Sequence, residues 1–134
     1  MGRFRKLGQM VVAPDTIRLL TEIGLLAAGR GRLRECQEIM QGIAALRPGA
    51  SQPFIAVALA YLNAGRPADA VRLLRDEALP AVNPEEADMV RAFLGLSLHL
   101  DGRPRECIET LDQIRPDSND SAALRLAVAI RQSL

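Results

Sequence analysis

The side chains equipped for covalent chemistry are few: one histidine, His99, and two cysteines, Cys36 and Cys107, in a chain of 134 residues. Ser97 is the hydroxyl nearest His99 in sequence, but residues two apart on a helix point to different faces, so the two make no nucleophile–base couple. A metal centre needs more ligands than one histidine and two cysteines 107 − 36 = 71 positions apart supply. Glu85-Glu86 is better placed to favour the positive end of a helix. The expectation is therefore a protein that is not an enzyme, with no catalytic residue, no metal and no cofactor.

Charge narrows the partners. Lysine plus arginine number 17 against 16 for aspartate plus glutamate, so no global field steers the chain onto nucleic acid or an anionic membrane. Only the first dozen residues, with Arg3, Arg5 and Lys6, are locally basic. The arginines at 30, 32, 34, 66, 72, 75, 103 and 105 are expected to be solvated and paired with Glu35, Asp69 and Glu106. Helical repeats that read RNA need polar, basic grooves and stacking side chains, which three phenylalanines and one tyrosine do not provide. No apolar run approaches the roughly 18 residues of a membrane span, and the start Met1-Gly2-Arg3-Phe4-Arg5-Lys6 lacks both a signal-peptide apolar region and a myristoylation Ser/Thr. Reduced thiols and a cytoplasmic location follow as expectations.

What must position these side chains is a repeat. Three times a helix-breaking glycine is followed by an arginine and then by a helix whose fifth residue past the glycine is small: Gly31-Arg32 with Cys36, Gly65-Arg66 with Ala70, and Gly102-Arg103 with Cys107. The glycines lie 65 − 31 = 34 and 102 − 65 = 37 residues apart, a period at which each repeat is a helix pair that buries its apolar face only against its neighbours. A composition 49% apolar suits one such helical domain.

The pairs read off in order. A first helix begins after Pro14, carrying Ile17, Leu20, Ile23 and Gly24, and its partner runs from about Arg32 to Leu46 before Pro48-Gly49. Ser51 is a cap for Pro53 to Ala64, Gly65 supplies the left-handed turn, and Pro67 opens a helix to about Leu79. The breaker Pro80-Ala81-Val82-Asn83-Pro84 lengthens the next connection. A third pair spans about Glu85–Leu100 and Pro104–Ile114, and Asp117-Ser118-Asn119-Asp120 offers caps for a terminal helix from Ser121 to Gln132. The expected organisation is a basic arm over 1–13, read as a mobile segment or as a short helix ordered by a partner, and a repeat domain over 14–134. Its repeats cover about 15–48, 51–84 and 85–116, with a capping helix over about 118–132.

Aligned on the glycines, the chain resembles the tetratricopeptide repeat over about residues 15–116. The middle repeat carries Phe54, Val57-Ala58, Tyr61, Ala70 and Leu74. The first carries Leu20, Ile23-Gly24, Ala27, Cys36 and Met40, and the third Arg91, Leu94-Gly95, Leu98, Cys107 and Leu111. Gly24, Ala58 and Gly95 allow close approach within a pair, opposite the small residues Cys36, Ala70 and Cys107. The resemblance implies an all-α fold of three tetratricopeptide-like helix pairs in a right-handed superhelix with a C-terminal capping helix. It also implies that the first helix of each pair lines a concave groove.

In that register the groove positions are largely apolar: Leu25, Ile55, Leu59, Leu62, Met89, Ala92, Leu96 and Leu100, with His99 beside them. Such a stripe exceeds what a monomer exposes, so it either meets a partner or is closed off as core. A clamp for a free C-terminal carboxylate needs groove Lys, Arg and Asn, and only Asn63 with isolated Arg18 and Arg91 is present. Length, repeat number and the Ala-Gly-Arg turns are similar to the chaperones of type III secretion that hold the needle subunit. That likeness implies a non-enzymatic virulence-associated chaperone, which holds the amphipathic helix of a secretion substrate and is completed by a second small helical protein. The alternative reading is a homodimeric repeat scaffold or assembly adaptor using the same apolar surface.

Overall fold

The computed structural model describes residues 32–134. The expected arm over 1–13, the first helix and Leu25 lie outside the described residues. Among those described the regular structure is entirely helical.

α1 spans Leu33–Leu46 and buries Cys36, Ile39, Met40 and Ile43, the i, i+3, i+4, i+7 stripe of an amphipathic helix. It ends at Arg47, whose N–H donates to the Ile43 carbonyl at 2.9 Å, just before Pro48-Gly49. α2 spans Gln52–Asn63 with Pro53 in its first turn and no charged residue along its length. It is buried on most of its circumference, as a helix between two neighbours must be.

The turns after α2 and α4 are built alike. Gly65 adopts φ +73° and Gly102 φ +72°, and a Cβ at either would meet nothing within 4 Å, so backbone conformation alone selects glycine. Arg66 N–H donates to the Tyr61 carbonyl at 2.8 Å and Gly65 N–H to Leu62 at 3.1 Å. The second turn repeats both bonds, from Arg103 to Leu98 at 2.9 Å and from Gly102 to His99 at 3.1 Å. This paired closure is the Schellman motif, and it satisfies carbonyls the helix end leaves open. The arginine then turns back onto an acid in the first turn of the next helix. Arg66 reaches Asp69 at 2.7 Å, Arg103 pairs with Glu106, and Arg32 with Glu35 at 3.5 Å.

α3 starts at Pro67 and comprises an α segment Pro67–Arg72, a π segment Leu73–Ala78 and a closing α turn Leu79–Ala81. In the π segment the Leu79 N–H reaches back to the Leu74 carbonyl. Pro80 explains the widening: it has no N–H, and in a regular helix its ring would crowd the carbonyl four residues earlier. The helix therefore passes through Pro80 and ends at Ala81, two residues beyond the expected stop at Leu79. A 3₁₀ turn, Pro84–Glu86, leads into α4 (Ala87–Leu100), followed by α5 (Pro104–Asp112) and α6 (Ser121–Gln132).

Each helix packs on the next from α1 to α5, and α6 packs on α4. Two core clusters result. Cys36, Ile39, Met40 and Ile43 of α1 meet Ala56, Val57 and Ala60 of α2. The larger cluster joins Ala58, Ala70, Leu74, Val90, Leu94, Cys107, Leu111 and the α6 residues Ala123, Ala127 and Ile130. α4 and α5 approach closely at Gly95, where a Cβ would stand 2.7 Å from Leu111 Cδ2.

Polar links tie each pair to the following connection. The Ser51 side chain makes no cap bond within α2. Instead Ser51 N–H and Oγ donate to Glu86 Oε1 at 2.9 and 3.3 Å, so that Glu86 serves the positive end of α2. Asn83 N–H donates to the Gly49 carbonyl at 2.9 Å. One repeat later Ser118 Oγ donates to Asp88 at 2.6 Å, and Asp120 caps α6 by accepting from Ala123 N–H at 3.0 Å.

Candidate functional site

The groove positions of α2 and α4 divide into three groups. Leu59, Leu62, Met89 and Leu96 are partly exposed. Leu62, Met89 and Leu96 rest against the larger core and Leu59 against the smaller, each leaving a flank open. Leu100, at the end of α4, is the most exposed at 55%. Ala92 and Ile55 do not face outward as expected. Ala92 is fully buried in the larger core and Ile55 is 8% exposed, because Ala92 is small enough to sit where α4 meets its neighbours and α2 is enclosed around most of its surface. The open row is thus Leu59, Leu62, Met89, Leu96 and Leu100.

Among the described residues, charge stays at the margins of this row. α2 contributes none. Arg91 of α4 is folded onto Asp88 at 3.0 Å, which in turn accepts from Ser118. His99 is partly exposed in the last turn of α4. Ser97, two residues away, is fully buried and donates to the Phe93 carbonyl at 2.9 Å, so the two side chains do not meet. Both thiols are fully buried. Burial pushes the Cys36 thiol up to about 11 and raises that of Cys107, the opposite of what a thiolate nucleophile needs. Among the described residues there is no group of three or more His, Cys, Asp or Glu placed to hold a metal ion. No helix among them is long and apolar enough to cross a membrane.

Two further features went unread in the sequence. A cavity of about 220 Å³ opens on the other side of α2, between α1 and α3, next to the π segment. A shallower hollow of about 560 Å³ lies between the start of α4 and the Asp117–Asp120 connection, lined by Glu85, Asp88, Asp117 and Asp120 with Arg115. The crowding of turn residues in 117–120 was the sequence signal for the second. The first had none, since a helical period does not report where three helices fail to close.

Comparison with protein-family models, curated proteins and solved structures returned no match to this chain.

Proposed function

We propose that this chain is a non-enzymatic, protein-binding chaperone: three tetratricopeptide-like helix pairs in a right-handed superhelix, closed by the C-terminal capping helix, which hold an amphipathic helix of another protein on the inner side. The observation that carries this reading is the open aliphatic row Leu59, Leu62, Met89, Leu96 and Leu100 beside a helix with no charge. Such a surface rewards an apolar guest and offers nothing to a nucleic acid or a carboxylate. The two identically closed turns and the packing of α3 on both α2 and α4 support the repeat architecture.

The guest, by the resemblance of the repeat pattern, is the needle subunit of a type III secretion system in the cytoplasm, with a small helical co-chaperone completing the complex. A subunit that polymerises through an apolar helix is kept from nucleating when that helix is sequestered. Burying on the order of 800 Å² per partner at about 25 cal/mol per Å² gives ample gross stabilisation, most of it offset by ordering the guest. Binding is then tight yet reversible.

The test is copurification with a coexpressed amphipathic helical substrate and light scattering of the isolated chain. Leu96→Asp and Leu59→Asp are expected to abolish copurification with the helical circular dichroism retained. Unchanged copurification would sink the row as the site. A stable homodimer whose interface is lost on Leu96→Asp would replace the chaperone by a self-associating scaffold.

A further inference from the structure

The cavity on the other side of α2 has an apolar floor and a polar mouth. Met40, Phe54, Val57 and Leu73 form the floor, and Gln37 and Glu77 stand at the mouth. One wall is held in place: the Tyr61 hydroxyl accepts from Gln37 Nε2 at 3.4 Å, and the Arg66 guanidinium lies 5.0 Å above the Tyr61 ring. The opposite wall is the π segment of α3, which supplies both Leu73 and Glu77. Pro80 widens this turn, and single-turn π insertions inside α-helices are frequent at functional sites.

Charge and size define what fits. The arginines around the mouth are committed elsewhere: Arg66 and Arg72 to Asp69 at 2.7 and 3.1 Å, and Arg75 to Asp76 at 3.1 Å. Exposed Glu77 makes no ion pair with a described residue, so an unmatched negative charge sits beside an apolar floor. At about 220 Å³ the cavity is smaller than the roughly 300–1,000 Å³ of small-molecule sites, and suits a single side chain.

We propose that this cavity is a second docking site, which receives one aliphatic or aromatic anchor of a partner protein's helix while a lysine or arginine one turn along that helix pairs with Glu77. Anchor and cation four residues apart on one helix face meet floor and mouth together. The site lies on the opposite side of α2 from the aliphatic row and stands whether or not that row binds a guest.

Two stapled helical peptides test it, identical in a phenylalanine anchor and differing only four residues later, lysine in one and glutamate in the other. Titrated into the full chain with methyl and aromatic NMR shifts followed, the lysine peptide is expected to bind roughly three- to tenfold more tightly, perturbing Phe54, Val57 and Tyr61. Glu77→Lys should reverse the preference. Ala44→Trp, which places an indole on the cavity lining, should abolish binding of both, and Leu96→Asp should leave it unchanged. Glu77→Lys decides alone where Ala44→Trp alters the circular dichroism. Equal binding of the two peptides, no binding of either, or shifts confined to α4 would overturn the proposal. So would self-association of the chain that Ala44→Trp abolishes, which would make a second copy the occupant.

Discussion

α2 and α4 hold the same place in successive helix pairs, 37 residues apart, and differ in how the helices around them close on them. The turns that close them share both Schellman bonds, and the small residues Ala58 and Gly95 stand at the same register. On α2, Phe54 and Tyr61 border an open cavity. At the equivalent positions of α4, Leu98 is core at 3% exposure, and Arg91 is partly buried with its Nε lacking any hydrogen-bond partner. The polar links show the same inversion: Ser51 donates to a glutamate ahead of it, whereas Asp88 accepts from a serine ahead of it. The lesson is that closure of a pair is held fixed and the seam between pairs is where the repeats diverge.

The largest test of that division is Leu74→Ala against Leu111→Ala, equivalent and fully buried residues of α3 and α5. Each should destabilise by about 2–5 kcal/mol in urea unfolding, and the two values should agree closely if the interiors of the pairs are equivalent. A difference of several kcal/mol between them would break the equivalence. Next come the glycines. Gly65→Ala and Gly102→Ala meet no atom and should cost about 1–2 kcal/mol each through φ alone. Gly49→Ala, at φ +84°, should cost about the same 1–2 kcal/mol, because the nearest atoms its Cβ would meet are the amide end of the exposed Asn83 side chain, which can swing aside.

The seam gives smaller effects. Arg91→Met removes a buried, unsatisfied N–H and a partly exposed ion pair, and is expected to be neutral or to stabilise by about 1 kcal/mol. A clear loss in thermal unfolding would show that Arg91 is needed at the seam. The smallest effect is electrostatic. The Arg103 hydrogen bond, aided by its charge and that of Arg75, holds the Glu106 carboxyl below its ordinary range. A carboxyl with a depressed folded-state pKa adds stability above its unfolded pKa and loses it as pH falls through the folded value. Arg103→Ala should therefore move the Glu106 titration upward in carboxyl-detected NMR, with little change in stability at neutral pH.

Much of the scaffold was legible because its punctuation is chemical. Positive-φ glycines, prolines in first turns and the terminal cap at Asp120 have few substitutes, so α6 falls on Ser121–Gln132 and α5 starts at Pro104 as expected. The pairing of Arg32, Arg66 and Arg103 with acids three residues on was equally readable. The repeat register separated outer from inner faces less well. It does not tell a partly exposed Leu96 from a buried Ala92, since both lie on one helical stripe and only the distance to the adjoining helix decides. The π segment was hidden for a related reason: Pro80 reads as a stop, and a widened turn lets the helix run through it. The Ser51–Glu86 link spans 35 residues and leaves no local trace.

The two sealed thiols give the fold an internal stopwatch. Cys36 lies in the smaller core and Cys107 in the larger, each inaccessible while its helix stays docked. Under native conditions a thiol reagent modifies each only when its own part of the array opens, so the two labelling rates read out separately how often the α1 end and the α5 end come apart. A chain of nearest-neighbour contacts need not open as one body, and here nature has placed a reporter in each half.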